Sequence, residues 1–249
     1  MRILQVDNWQ WHRFGDLRVS TSRKLYHGLI RGNHKVLEFS DRDLARFEAP
    51  LKVKPLGKHR ANRRLIETCE NYQPQMILLG HADLIENQTL ADIKQRHPDL
   101  RIAYRNVDPL FNPRTVANIQ RRCEVVDSIF VTTGGDALKP FLRPGNRVSF
   151  MPNPCDPAVE DQDNSVKDAF RWDVLFCGIG KPYDPRVAQV ATLKADLSDL
   201  RFGVFGMHGK PPLWGVAYDQ ALADSKMGLN LNRYEGDYLY SSARISQLM

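Results

Sequence analysis

Six short segments of the sequence hold the side chains most able to do chemistry. The first, Asp7-Asn8-Trp9-Gln10-Trp11-His12-Arg13-Phe14-Gly15-Asp16, puts two indoles, an imidazole and a glycine just ahead of a helical pattern. Aromatic faces stack on sugars or bases, a helix N-terminus accepts an anion, and His12 can act as a base near neutral pH. The same loop also reads as a tryptophan-anchored packing segment. Gly80-His81-Ala82-Asp83, Asn106-Val107-Asp108-Pro109 and Thr132-Thr133-Gly134-Gly135 each follow an apolar run. His81 and Asp108 alone could be caps or loop-fixing groups, but together these segments place polar groups at one sheet edge. Val174-Leu175-Phe176-Cys177-Gly178-Ile179-Gly180-Lys181 ends a strand in Gly-x-Gly, where the amides at Gly178 and Gly180 could meet a phosphate helped by Lys181 and Arg186. Ser241-Ser242-Ala243-Arg244 opens a helix with two hydroxyls and a guanidinium, either an anion site or an ordinary serine cap.

Several chemistries are excluded. Pro182 and Tyr183 follow Gly180, so the segment is neither a dinucleotide fingerprint nor a P-loop. Cys69, Cys123, Cys155 and Cys177 form no CxxC pair, which disfavours a zinc knuckle and fits a reducing compartment. The 249 residues carry 35 Lys and Arg against 29 Asp and Glu, a formal charge of +6. The excess lies in the first 70 residues, with 15 basic and 8 acidic side chains. Such a face suits phosphates or simply solvates the surface. At 42% hydrophobic and 26% charged, the composition is globular. No apolar run approaches a bilayer span, and Asp7 interrupts the N-terminal run too early for a signal peptide. The expected location is cytoplasmic or membrane-peripheral.

Elements that would position these groups alternate along the chain. Strands are predicted at Arg2–Asp7, Lys35–Phe39, Gln75–Gly80, Arg101–Val107, Ser128–Thr133 and Val148–Met151. Helices are predicted at Asp16–Arg31, Lys58–Asn71, Leu84–Arg96 and Pro113–Cys123, with a polar connection before Lys58. Strands without a wet face, separated by helices, predict a parallel sheet covered on both sides. This first domain spans 1–155, and an acidic, aperiodic stretch at 156–170 reads as a linker. The alternation restarts in 171–249: strand Trp172–Cys177, helix Arg186–Leu200, strand Arg201–Phe205, helix Tyr218–Ser225, strand Gly228–Leu231 and an amphipathic helix Ser241–Met249. Without a final strand, this second domain reads as incomplete and the chain as C-terminally truncated.

Asn106-Val107-Asp108-Pro109, Met151-Pro152-Asn153-Pro154-Cys155-Asp156-Pro157, Trp172–Gly178 with Arg186, Ser225–Asn232 and Ser241–Arg244 occur in an order that resembles the spore-maturation-protein-like glycosyltransferases, within the group-1 enzymes of GT-B fold. Residues 1–100 match by pattern alone. The resemblance implies an α/β fold of two facing Rossmann-like domains, the second holding a nucleotide-sugar. Gly178 and Gly180 would approach its diphosphate, Arg233 and Arg244 would neutralise it, and Ser241 and Ser242 would donate to it. Asn230 and Asn232 would lie near the nucleotide or sugar. The acceptor, a glycan or lipid-linked chain, would lie near His12, His81 and Asp108. The resemblance implies no metal and no cofactor, the nucleotide-sugar being substrate, and no nucleic-acid partner. Where relatives carry Arg-x-x-Glu, this chain has Arg244-Ile245-Ser246-Gln247, an amide for a carboxylate. The two readings carried forward are a metal-independent glycosyltransferase and a non-catalytic module binding a nucleotide or polyanion. A NAD-dependent oxidoreductase is disfavoured by the missing fingerprint.

Overall fold

The computed structural model describes residues 1–15, 20–234 and 236–248. The predicted helix start at Asp16 and the predicted end at Met249 lie outside the described residues, as does Glu235. The chain divides into two units. One holds 1–14, 20–154 and 237–241, and the other holds the remaining described residues.

The first unit is built on six parallel strands in the order β2-β1-β3-β4-β5-β6. These are β1 (Arg2–Asp7), β2 (Lys35–Ser40), β3 (Met76–Leu79), β4 (Arg101–Asn106), β5 (Ser128–Val131) and β6 (Arg147–Phe150). Alternation along the strands splits the core in two. Leu4, Val6, Ile77, Leu79, Ile102 and Ile129 pack under α3 (Lys54–Tyr72), α4 (Asn87–Arg96) and α5 (Pro113–Arg122), which supply Leu65, Ile93 and Ile119. Ile3, Leu78 and Ala103 face the other way, against Leu25 and Leu29 of α1 (Thr21–Arg31). Helix starts follow their local chemistry: Ser20 caps α1 through the Arg23 amide, and Asn112 caps α5 just ahead of Pro113.

The polar connection expected before Lys58 instead contains α2 (Asp41–Glu48), and α3 begins at Lys54. The sequence of α2 is Asp-Arg-Asp-Leu-Ala-Arg-Phe-Glu, in which Asp41 and Asp43 occupy buried positions that hydrophobic periodicity would assign to apolar residues. They are tolerated there because each carboxylate accepts backbone amide bonds. Helix α3 closes tightly on α2 at Gly57, where an added Cβ would lie 1.8 Å from the Ala45 carbonyl oxygen. Helix α4 starts at Asn87 rather than Leu84, because residues 80–86 are held as a loop.

The second unit has three parallel strands in the order β8-β7-β9: β7 (Trp172–Cys177), β8 (Phe202–Phe205) and β9 (Ser225–Gly228). The last lies three residues earlier than expected, with Val174 paired to Met227 and Leu175 to Gly228. Val174, Phe176, Val204 and Met207 form its core with Val190 of α6 (Pro185–Asp196). Helix α7 (Gly215–Ala223) follows β8, and α8 is the short Ile245–Leu248. Leu248 sits on Gly228, where a Cβ would come within 2.3 Å of it. The acidic 156–168 stretch carries no helix or strand and belongs to this unit, with Asn164 Nδ2 donating to the Leu222 and Ser225 carbonyls and Lys167 Nζ to that of Ala223.

Among the described residues, no helix is long and apolar enough to cross a membrane.

Candidate functional site

The carboxyl edge of the six-stranded sheet gathers the first set of polar groups. After β1 the backbone turns left-handed at Gln10 (φ 55°) and Phe14 (φ 49°), bracketing a 3-10 turn at Trp11–Arg13. Asp43 of α2 holds this turn: Oδ2 accepts the Trp11 amide at 2.9 Å and the Ser40 hydroxyl at 2.6 Å, and Oδ1 lies 2.7 Å from His12 Nδ1. Arg46 Nη1 approaches both Nδ1, at 2.9 Å, and Oδ1, at 3.3 Å. A carboxylate and an imidazole nitrogen at 2.7 Å need a proton between them, so Nδ1–H donates to Asp43 and Arg46 closes on the carboxylate. The lone pair of the neutral ring then resides on Nε2. Burial alone would raise the Asp43 carboxyl, but hydrogen bonds from Ser40, His12 and the Trp11 amide outweigh it and hold the group below the usual carboxylate range. The result is a buried carboxylate that orients a one-third-exposed histidine, an arrangement able to accept a proton at Nε2.

The tryptophans themselves are packed. Trp9 is buried edge-on against Tyr26, and Trp11 stacks on Phe47 at the end of α2. The tryptophans thus anchor the loop, and His12 is the group in it that remains a candidate for chemistry.

His81 is placed by its backbone. Its amide donates to Asp7 Oδ1 at 3.0 Å, and the other Asp7 oxygen accepts the Ser22 hydroxyl at 2.6 Å. Gly80 makes room, since a Cβ there would lie 1.9 Å from that carboxylate. Arg105 of β4 is buried in the charge field of Asp7, and burial lowers its guanidinium pKa despite that charge. The rest of the 80–86 loop is clamped. Arg122 Nη2 donates to the Ala82 and Ile85 carbonyls, Asn62 bridges the Leu84 carbonyl and Glu86 amide, and Asp41 accepts the Leu84 amide. Burial pushes the Asp41 carboxyl up to about 7, and that of the Arg122 guanidinium brings it down to about 10. Asp108 reaches within 3.9 Å of His81 Nδ1 and is half exposed. Asp41 and Asp43 share an Asp-x-Asp spacing but serve different partners, the Leu84 amide and the His12 turn. Among the described residues, no three His, Cys, Asp or Glu side chains converge to hold a metal ion.

In the second unit, the expected open amides are engaged. Gly178 N–H donates to the Phe205 carbonyl and Gly180 N–H to that of Gly206, both at 3.0 Å, because the loops after β7 and β8 continue to pair beyond the strands. Gly180 is required by packing: a Cβ would meet Val187 at 2.8 Å and Met207 at 2.9 Å. Arg186 is buried in a two-pronged pair with Asp184, Nε at 2.9 Å and Nη2 at 2.7 Å, and also donates to the Ile179 carbonyl. Its charge is spent on fixing the loop. Arg233 Nε lies 3.0 Å from the same Asp184 and is half exposed. Hydrogen bonds from Arg186 hold the Asp184 carboxyl down at about 2.

A second cluster forms beside β9. Asn230 Oδ1 accepts both the Ser242 hydroxyl at 3.0 Å and Arg244 Nη1 at 3.2 Å. The Arg244 guanidinium lies over the Phe176 ring, 5.2 Å from its centroid. A side chain at Gly178 would press on both, at 3.1 and 3.3 Å. Gly178 thus leaves close room for the Arg244 guanidinium while its own amide is engaged. Asn232 is exposed. Ser241 groups with the first unit, its carbonyl accepting Asn153 Nδ2 at 3.0 Å. Gln247 lines a hollow of about 100 Å³ with Glu160, Asp161 and Asp219, where a carboxylate would be repelled.

Sequence reasoning missed Asp43, Asp184, Asp7 and Arg105. Asp184 carried a signal, an Asp-Pro helix start. The other three are polar residues inside elements, and only the fold reveals their partners.

No family model matches the chain, and no curated protein sequence matches it significantly. Among solved structures, the chain is similar to UDP-GlcNAc 2-epimerase from Neisseria meningitidis in a complex with UDP-GlcNAc. The TM-score is 0.51 at 11% identity, covering 92% of this chain and 77% of that one. It also aligns with SsfS6, a Streptomyces sp. SF2575 glycosyltransferase, with a TM-score of 0.38 at 12% identity over 85% and 72% of the two chains. The architecture is α/β of GT-B type.

Proposed function

We propose that this chain is a GT-B glycosyltransferase of the spore-maturation-protein-like kind, moving a sugar from a nucleotide donor to a hydroxyl of a glycan or lipid-linked acceptor. The observation that carries the reading is the Asp43–His12 pair at the sheet edge. His12 Nε2 takes the acceptor proton as the oxygen attacks the anomeric carbon, and the sugar–diphosphate bond breaks with its electrons going to the diphosphate. Asp43 keeps the ring in the tautomer this needs and faces the charge that forms on it. Such a base contributes about 10²–10⁴ in rate. The leaving diphosphate is met by Arg244, oriented by Asn230 beside Ser242, and by the exposed part of Arg233. Asn232 and Ser241 lie beside this set in sequence, whereas Arg186 and Gly180 support its framework. His81 and Asp108 contact the acceptor. Cationic side chains supply the leaving-group stabilisation, so no metal is invoked.

The second reading, a non-catalytic binder of nucleotides or polyanions, draws on the engaged amides of Gly178 and Gly180. Thermal melts with UDP, GDP, CMP, NADH and heparin separate the two. A nucleoside diphosphate at 100 times its Kd adds about 2.7 kcal/mol, and Arg244→Ala abolishes the effect if the donor reading holds. Stabilisation by heparin alone, lost in salt, favours the binding module. Nucleotide release that persists unchanged in His12→Ala would overturn the assigned base.

A further inference from the structure

The end of α2 and the turn joining it to α3 expose a run of apolar side chains. Leu51 is 90% exposed, and Phe47, Val53 and Leu56 are also exposed. Leu51 and Lys52 adopt left-handed backbone (φ 58° and 55°), a region that a branched side chain rarely enters. Such outliers persist where the surroundings impose them and point to function. Here the scaffold is stiff, because the Gly57–Ala45 approach locks α2 against α3. The tip is thus held out from a rigid hairpin.

Charge identifies the partner. Between 47 and 60 stand Lys52, Lys54, Lys58 and Arg60 against the single Glu48. Glu48 is already paired with Arg64, and Lys58 with Glu86. Lys52 and Lys54 have no ion-pair partner among the described residues. They alternate with the apolar groups, as Leu51-Lys52-Val53-Lys54-Pro55-Leu56. From this we infer that the α2–α3 tip is a docking surface for an anionic lipid bilayer. Leu51, Val53 and Leu56 enter the headgroup–acyl boundary while the lysines reach back to lipid phosphates. A second copy of the chain fits less well, because a two-fold contact would set Lys52 and Lys54 against their own counterparts. The Trp11–Phe47 stack joins the patch to the His12 turn. The inference goes beyond the proposed reaction and does not depend on a donor.

Vesicle flotation of the full chain tests it without any nucleotide-sugar, so its outcome is independent of the transfer reaction. The chain is expected to float with phosphatidylcholine vesicles containing phosphatidylglycerol, and only weakly with phosphatidylcholine alone. Leu51→Asp is expected to weaken binding about tenfold or more. Lys52→Glu with Lys54→Glu should weaken it at least about fivefold per position and remove its salt sensitivity. Unchanged melting temperatures confirm that both variants fold. No flotation, flotation equal on both vesicle types, or flotation unchanged in these variants overturns the inference. So does a concentration-dependent dimer that Leu51→Asp abolishes, since the tip would then be an interface between copies.

Discussion

At the scale of single residues, buried carboxylates hold the candidate site residues in place. Asp43 fixes His12, and Asp184 fixes Arg186 while touching Arg233. Replacing Arg186 by Leu leaves Asp184 buried with Arg233 alone and is expected to cost about 3–5 kcal/mol in urea melts. The acid side moves with it. The native Asp184 carboxyl lies at about 2, below its unfolded value, so its stabilisation is complete above about pH 4. That stabilisation is lost as pH falls toward 2, and in Arg186→Leu this loss shrinks. His12→Asn, whose amide can still donate to Asp43 from near the Nδ1 position but cannot take a proton, should lower kcat by about 10²–10⁴ with little change in the melt. Among the candidates, His12 and Arg244 stood out in the sequence as reactive types beside a strand end and a helix start, whereas Arg233 entered through the family resemblance. The carboxylates orienting them were not legible there: a buried Asp inside a helix looks, in one dimension, like a break in its apolar face.

At the scale of elements, α2 decides where the candidate base sits. It carries Asp41 and Asp43 on opposite sides of its first turn, and it is pressed against α3 at Gly57. Gly57→Ala drives a methyl into the Ala45 carbonyl, so α2 must shift. A loss of about 1–3 kcal/mol in thermal melts is expected, with a fall in His12-dependent turnover beyond the stability change. Asp41 makes a separate prediction, because burial raises its carboxyl to about 7 in the folded state, well above the unfolded value. The native chain therefore binds this proton more tightly and loses stability as pH rises from about 4 to about 7. Asp41→Asn should lack that component, a difference of at most about 4 kcal/mol in paired melts. The β strands were readable because buried parallel strands are nearly continuous apolar runs, and Arg2–Asp7 and Trp172–Cys177 match residue for residue. Strand β9 was misplaced because Ser225-Lys226-Met227-Gly228 has a half-wet edge character, with Lys226 pairing to Asp173.

At the scale of the whole molecule, the chain path is interrupted. After building most of the second unit it returns to the first for residues 237–241, where the Gly134 amide donates to the Tyr238 carbonyl at 2.8 Å and Tyr238 and Leu239 pack over Gly134 and Gly135. Nothing in the Gly236–Ser241 sequence announces this, since the segment has neither strand nor helix pattern. A chain ending at 236 should lose protection at Gly134, its amide exchanging about tenfold or more faster in hydrogen-exchange measurements. The path also limits how such a protein can be recombined. A chimera that swaps the second unit as a cassette through one splice near residue 155 imports a foreign 237–241 along with it. The recipient's Gly134-Gly135 platform then receives a stranger's side chains, so a workable exchange of lobes needs further junctions flanking those five residues.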